Sequence, residues 1–254
     1  IERIIPCLLV KSGGLYKTVK FKSPTYLGDP INVVKIFSDK EADEIIVLDI
    51  EATPSKRGPD FDLLRDIAAQ AFMPVAYGGG VSTLAQMEIL YSMGIEKVIL
   101  DSAAHADHSL VERAAKHFGS QSVEVCLDCR KPLFSSSYAV YAARGRRKVS
   151  SSVIEVARQF ESLGAGEIVL NNIDRDGTMQ GYNHSLLKLV TSSLSIPVVA
   201  LGGAHSLDEM HRAIHESGVS AAAAGSLFSF RWPERAVLIN YPKNRLRVPN
   251  VQAA

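Results

Sequence analysis

Two stretches of this sequence recur at the same spacing, and this internal repeat constrains the fold more than any other feature. Glu41–Glu51 resembles Gly164–Asp174, and Pro74–Met87 resembles Pro197–Met210, each at an offset of 123 residues in a chain of 254. Repeats separated by nearly half the chain indicate that two similar halves build one structure.

Short apolar runs alternate along the chain with longer amphipathic segments, as in proteins with parallel strands connected by helices. The predicted strands are Ile4–Val10, Glu44–Ile50, Pro74–Tyr77, Lys97–Leu100, Ser122–Asp128, Glu167–Asn171, Pro197–Leu201 and Ala221–Gly225. The predicted helices include Asp60–Ala71, Thr83–Met93, Ser109–Phe118, Val153–Leu163, His184–Ser193 and Ser206–Glu216. Together with the repeat, this pattern predicts a (β/α)8 barrel made of two half-barrels, as a single domain over residues 1–254. A doubly wound open sheet is the structural alternative.

Composition and charge exclude several classes of protein. The formal net charge of +1 favours neither nucleic acid nor an anionic membrane as a partner. No apolar run approaches the ~18 residues that span a bilayer, and the first residues do not resemble a signal peptide. Three cysteines argue against a disulfide framework. We therefore expect a cytoplasmic protein.

No metal or cofactor is predicted. Cys126 and Cys129 lie three residues apart on a predicted strand and so face opposite sides of it, and no second cysteine pair completes a zinc set. The histidines, such as His105, His108, His205 and His211, show no ligand spacing. Structural or solvated side chains are the expectation for them.

Two glycine turns follow strands in repeat-related positions. Gly78–Gly80 and Gly202–Gly203 each precede a helix, and the next strand of each half ends at a small hydroxyl residue, Ser102 or Ser226. Glycine lets backbone N–H groups approach an anion, which the helix dipole also favours. Each turn alone could simply be a tight connection, but the two copies predict two phosphate sites and an elongated bisphosphate ligand at the C-terminal mouth of the barrel.

Carboxylates at strand ends are candidates for acid–base chemistry in this mouth. Asp128 ends a strand without a turn residue directly after it and is the best catalytic candidate. Asp176 belongs to the turn sequence Asp-Gly-Thr, which favours a structural or phosphate-positioning role. In the repeat, Leu9 is the counterpart of Asp128, at an offset of 119 residues.

Charged residues also stand at the opposite, N-terminal ends of four strands. Arg3, Glu44, Lys97 and Glu167 each lie at or just before the start of a predicted strand and should converge at the barrel floor. Since buried charges are costly unless they are paired, the set is either a salt-bridged plug or a gate for something small that passes along the barrel axis.

The motifs "RIIPCL", "DEIIVLDI", "YGGGV", "FGSQSV" and "GAGEI" followed by "IDRDGT" resemble the cyclase subunit of imidazole glycerol phosphate synthase, from Arg3 to about Arg231. That resemblance implies a barrel that receives ammonia from a glutaminase subunit docked at its N-terminal face. The ammonia is used at the C-terminal mouth, where a bisphosphorylated ribulosyl-formimino aminoimidazole carboxamide ribotide becomes imidazole glycerol phosphate. The resemblance also implies phosphate contacts at Gly80 and Ser102 on one side of the mouth and at Gly177, Gly203 and Ser226 on the other. It further implies that a charged gate for ammonia is formed by Arg3, Glu44, Lys97 and Glu167.

The chain departs from this family where the chemistry is done. The family uses two aspartates, and Asp128 matches the second while Leu9 occupies the position of the first. Asn171 and Leu201 stand where the family has small hydroxyl residues, and Asp101 replaces an amide. Leucine cannot transfer a proton, so the two-carboxylate mechanism is not available as it stands.

These departures resemble a divergent branch of the family associated with surface-polysaccharide biosynthesis, in which ammonia goes to a separate sugar amidotransferase. "IPCLL", "GGLYKTVKFK" and "GDPIN" also resemble that branch. Three hypotheses follow. The first is an ammonia-conducting barrel whose cyclase activity is lost or weakened. The second is a working cyclase in which Asp49 or Asp101 substitutes for the missing aspartate. The third is a non-catalytic module that only activates its glutaminase.

Overall fold

A computed structural model describes residues 2–133, 135 and 137–242, and its central feature is a closed barrel of eight parallel strands. Each barrel strand pairs in parallel with the next one along the chain, and the eighth pairs with the first. The barrel strands are Arg3–Lys11, Ile45–Asp49, Val75–Gly78, Lys97–Leu100, Val123–Arg130, Glu167–Asn172, Val198–Leu201 and Ala221–Ala224. The predicted (β/α)8 barrel is confirmed, and every predicted strand ends within two residues of the observed one.

Helices connect the strands around the outside. They are Pro30–Asp39, Phe61–Gln70, Leu84–Ser92, Ser102–Ala106, Ser109–Phe118, Val153–Ser162, His184–Thr191, Leu207–Ser217 and Ser226–Ser229. Most of the longer ones begin after a capping side chain that accepts a backbone N–H of the first turn, as Asp60 does from Leu63 and Ser206 does from Glu209. These caps satisfy N–H groups that have no partner inside the helix, which fixes where each helix begins.

Two hairpins stand above the barrel mouth, and the apolar pattern did not predict them. Gly14–Val19 pairs with Lys22–Gly28 after the first barrel strand. Ala139–Ala142 pairs with Arg147–Ser150 after the fifth. The hairpin strands are short and include charged side chains, so the alternation of apolar and polar residues along them is weak. They occupy equivalent places in the two halves and extend the repeat.

Alternation along each barrel strand separates two apolar layers. In the first strand, Ile4, Leu8 and Val10 face the surrounding helices, whereas Ile5 and Leu9 face the barrel interior. The interior layer is narrow and apolar. It consists of Ile5, Cys7, Leu9, Ile46, Ala76, Ile99, Cys126, Val169, Val199, Leu201, Ala221 and Ala223. It separates the two ends of the barrel, which carry the polar groups described below.

Among the described residues, no helix combines the length and the apolar composition that a membrane span requires.

Candidate functional site

The C-terminal ends of the barrel strands surround a cavity of about 580 Å³. This is the end at which barrels of this type carry their active sites, and the volume lies in the range of small-molecule sites. Four carboxylates line it, from Asp49, Asp101, Asp128 and Asp176, together with the side chain of Leu9.

Asp128 lies on the fifth barrel strand and is buried. Asn171, opposite it on the sixth strand, donates a 2.9 Å hydrogen bond from Nδ2 to Asp128 Oδ1. Burial raises the pKa of Asp128 well above its usual range, the nearby Asp101 carboxylate adds to this, and the hydrogen bond from Asn171 opposes it. Asp128 can therefore hold a proton at a pH at which an exposed aspartate has lost it.

Leu9 lies in the apolar interior layer and pairs in register with Leu48 on the second strand. Its side chain lines the mouth cavity but offers no proton and no lone pair. The position related by the repeat to Asp128 is therefore an apolar wall of the cavity.

Two of the other carboxylates are held by cations. Asp49 accepts hydrogen bonds from the backbone N–H groups of Glu51 and Ala52, and its Oδ2 lies 2.8 Å from Arg57 Nη2. Asp176 forms a buried 2.8 Å ion pair with Lys17, which reaches it from the first hairpin. Both arrangements shape the loops of the mouth.

Asp101 differs because its Oδ1 has no hydrogen-bond partner, although Oδ2 accepts one from Ser102. Burial raises the pKa of Asp101 to about 6, against the opposing effect of Ser102. Behind it lies His105, with both ring nitrogens unpartnered and Nε2 3.8 Å from Asp101 Oδ1. Burial lowers the pKa of His105 to about 4 and keeps the ring neutral. The mouth thus holds a second carboxyl group with a raised pKa, at a position that the sequence already offered as one possible substitute for the missing aspartate.

The first set of predicted phosphate-binding residues lines this main cavity. Gly80 and Ser102 both face it, with the side chain of Arg57 nearby. Gly80 has φ +71°, and a Cβ there would lie 2.6 Å from the Arg57 carbonyl oxygen, so only glycine fits. Ser102 Oγ accepts a 3.2 Å hydrogen bond from the backbone N–H of Ala143 in the second hairpin.

The second set of predicted phosphate-binding residues surrounds a smaller adjoining cavity. Gly177, Gly203 and Ser226 meet there although each follows a different barrel strand. The buried hydroxyl of Ser226 has no hydrogen-bond partner, so it is available to a ligand. Lys17 lines both cavities.

The charged residues at the strand starts converge at the barrel floor. Arg3 Nη1 lies 2.8 Å from Glu44, and its Nη2 forms an ion pair with Glu167. Lys97 Nζ lies 3.0 Å from both Glu44 and Glu167. Burial opposes the charged forms of Arg3 and Lys97, but the facing carboxylates outweigh it and raise both pKa values. The four residues form one ion-pair network across the barrel axis.

The network has a fifth member, Glu124, which the sequence pattern at the strand starts did not predict. Its Oε1 lies 2.9 Å from Lys97 Nζ, and its side chain is almost completely buried. Burial raises its pKa to about 8, with further increases from Glu167 and Glu44 and an opposing effect of Lys97. The sequence did hold a signal, since Glu124, Cys126 and Asp128 alternate on one strand and share its inward face.

The fifth strand therefore reaches from floor to mouth with polar atoms at both ends. Cys126 lies in the interior layer between them, whereas Cys129 packs in the outer layer against the helices. The two thiols face opposite sides of the strand, as their spacing predicts.

A family model described as "Histidine biosynthesis protein" matches residues 3–231. The chain is 47% identical over 97% of its length, and 98% of the relative's, to a Pseudomonas aeruginosa protein described provisionally as imidazole glycerol phosphate synthase subunit hisF2. It is 44% identical over 95% of its length, and 93% of the relative's, to a Vibrio vulnificus protein described provisionally as subunit hisF3. It is 38% identical over 99% of its length to imidazole glycerol phosphate synthase subunit HisF of Bacillus cereus, covering 98% of it.

Proposed function

The chain belongs to the histidine biosynthesis protein family that includes imidazole glycerol phosphate synthase subunit HisF, and from that premise we propose that it is the ammonia-conducting barrel of a glutamine-dependent amidotransferase system. It receives ammonia from a glutaminase subunit at its N-terminal face. The ammonia passes through the barrel and leaves at the C-terminal mouth. The histidine-pathway cyclase reaction is lost or weakened.

The ion-pair network at the floor supports the entry step. Arg3 and Lys97 balance Glu44 and Glu167, and Glu124 adds no net charge while it is protonated, as its pKa of about 8 favours at neutral pH. A network whose charges balance has no net charge with which to attract and hold an ion, which suits the entrance of a path for a small neutral molecule.

The interior layer supports passage of ammonia rather than ammonium. Its side chains are aliphatic except for the thiols of Cys7 and Cys126, and burial raises the pKa of both thiols, which keeps them neutral. An unpaired ammonium ion in such surroundings would lose its hydration without compensation. Only uncharged ammonia can cross the interior layer at a modest cost in free energy.

Leu9 is the single observation that carries the loss of cyclase activity. The cyclase family resemblance implies two aspartates, and in this chain the first is an apolar side chain in the wall of the cavity. Asp49 cannot easily replace it because Arg57 and two backbone N–H groups hold its carboxylate. We propose that the ammonia is used instead to amidate a surface-polysaccharide sugar precursor, through a separate sugar amidotransferase.

The cyclase assay tests the first half of the proposal. The chain is mixed with the ribulosyl substrate and excess ammonium salt, and imidazole glycerol phosphate is measured by mass spectrometry. We expect no product above the protein-free background, with Leu9→Asp assayed beside the wild type. Rapid turnover by the wild-type chain would refute the loss of cyclase activity.

Isotope tracing tests the second half. The chain is reconstituted with a glutaminase subunit and a sugar amidotransferase from its own organism, and it receives amide-15N glutamine in unlabelled ammonium. Conduction predicts a product that retains the label, whereas a module that only activates the glutaminase gives a product diluted by the solvent pool. Lys97→Met at the floor and Ala223→Leu in the interior should each dilute the label while glutamine hydrolysis continues.

Asp101 favours a second candidate function, a working cyclase with a relocated carboxylate. Its pKa of about 6 and its unpartnered Oδ1 suit a proton-transferring group in the same cavity as Asp128. If the wild type does turn over, Asp101→Asn and Asp128→Asn should each slow it by about 10²–10⁴-fold. An unchanged rate in Asp101→Asn would exclude this candidate.

A further inference from the structure

Glu2, His211 and His215 come together at the N-terminal rim of the barrel, directly beside the floor residue Arg3. One carboxylate oxygen of Glu2 lies 2.6 Å from His211 Nδ1, and the other lies 2.8 Å from His215 Nε2. The three candidate ligand atoms all lie within 4.8 Å of one another. We propose that these residues form a binding site for a divalent transition metal ion such as Zn²⁺.

The local structure explains the geometry. His211 and His215 lie four residues apart on the helix Leu207–Ser217, so they project from the same face of it. Glu2 immediately precedes the first barrel strand, which pairs with the strand that follows this helix. The closed barrel therefore fixes the third ligand against the helical pair, although the chain separates them by about two hundred residues.

The donor set indicates the class of ion. Two imidazoles and one carboxylate match the ligands of zinc sites that keep an open coordination position, and imidazole also suits Co²⁺, Ni²⁺ and Cu²⁺. Calcium and magnesium prefer oxygen ligands and fit the set poorly. With neutral imidazoles the three ligands carry a net charge of −1, which a divalent cation offsets.

The site also has room and an entry path. A tetrahedral zinc ion with bonds of about 2.0–2.1 Å holds its ligand atoms roughly 3.3 Å apart, so small side-chain rotations would open the cluster around it. The side chain of His215 is 55% exposed and that of His211 is 17% exposed. An ion can therefore enter from solvent and keep a water or a further ligand on its outer side.

Another histidine–glutamate cluster, centred on Glu209 of the same helix, provides a comparison within the chain. His205 and His184 both approach Glu209, but Glu209 already accepts hydrogen bonds from the backbone N–H groups of Tyr182 and His205. Its carboxylate is committed to the fold and is not free to ligate. Among the residues that the structure describes, only the cluster at Glu2 brings two convergent ring nitrogens to a carboxylate that accepts no backbone hydrogen bond.

The test is metal titration of the intact chain, purified without a polyhistidine tag and treated with EDTA. Calorimetry with ZnCl₂ and absorption spectroscopy with CoCl₂ should show one ion bound per chain, with a visible Co²⁺ spectrum of nitrogen–oxygen coordination. Glu2→Gln, His211→Gln and His215→Gln should each weaken Zn²⁺ binding at least tenfold, since loss of even an outer-shell partner costs about 10–100-fold. His205→Gln should bind like the wild type.

Circular dichroism of the metal-free variants ensures that each one is folded before titration. The proposal is overturned if the wild type shows no saturable binding, if His211→Gln or His215→Gln binds as tightly as the wild type, or if His205→Gln loses binding equally. This test needs no glutaminase and no substrate, so its outcome is independent of the proposed function.

Discussion

Lys17 and Asp176 form a 2.8 Å ion pair that ties the first hairpin to the loop after the sixth barrel strand. Both side chains are buried, and Lys17 Nζ also donates to the carbonyl oxygen of Thr18. The pair joins the two halves of the repeat at the wall between the two cavities of the mouth.

Lys17→Met should therefore destabilise the protein strongly. It leaves Asp176 as an uncompensated buried carboxylate, and breaking a buried pair costs about 3–5 kcal/mol. Urea unfolding at neutral pH measures the change. The matched control is Lys11→Met, which removes a partly exposed lysine 3.7 Å from Glu51 and should cost about 0–1 kcal/mol. Equal losses in the two variants would contradict the role given to the buried pair.

Asp128→Asn should stabilise the protein above neutral pH. A carboxyl group whose pKa is raised on folding contributes its stability below the unfolded pKa of about 4, and that stability is lost as pH rises toward the folded value. The amide cannot ionise, so Tm should exceed that of the wild type at pH 8 by roughly 2–4 °C per kcal/mol gained, with little difference at pH 4. Thermal unfolding followed by circular dichroism measures both, and a lower Tm at pH 8 would disagree.

Glu124→Gln should flatten the pH dependence of stability over a defined window. The folded pKa of about 8 lies above the reference value of 4.5, so the stability that Glu124 contributes is present below about pH 4.5 and lost between about 4.5 and 8. We expect the free energy of unfolding of the variant to exceed that of the wild type by on the order of 1 kcal/mol or more at pH 8.5, and to equal it at pH 4.5.

Glu167→Gln gives the opposite result and is the matched comparison for Glu124→Gln. Burial raises the pKa of Glu167, but hydrogen bonds from Arg3 and Glu124 and the charges of Arg3 and Lys97 outweigh it and lower that pKa to about 2. Its contribution is therefore present above about pH 4.5 and lost as pH falls toward 2. The variant should be less stable than the wild type at pH 7, by about 3–5 kcal/mol. Denaturant unfolding across pH 4 to 9 tests both substitutions, and changes of the same sign at pH 8.5 would refute this account of the floor.

Leu9→Asp should unfold more readily as pH rises. It places a carboxyl group in the apolar interior layer, where ionisation is penalised by burial. Leu9→Asn has a similar size and no charge, so its loss of stability should not vary with pH. Urea unfolding at pH 5 and pH 8 should show a larger loss at pH 8 for aspartate only. Parallel pH profiles would mean that water or a neighbouring cation reaches position 9.

Local patterns in the sequence determined the elements of the barrel. Runs such as Lys97–Leu100 and Ser109–Phe118 carry their own periodicity, and N-capping residues such as Thr83 fix where a helix begins through contacts within its own first turn. The internal repeat then related the two halves and identified Leu9 as the counterpart of Asp128 from the sequence alone.

The tertiary structure alone decided several further contacts between polar groups. Glu124 joins Lys97 at the floor, Lys17 joins Asp176 at the mouth, and Glu2 joins two histidines at the rim. Periodicity specifies the face of an element on which a side chain lies, but not its height in the barrel or its neighbour on another strand. Those distances follow from strand register and barrel closure, which depend on packing between residues far apart in the chain.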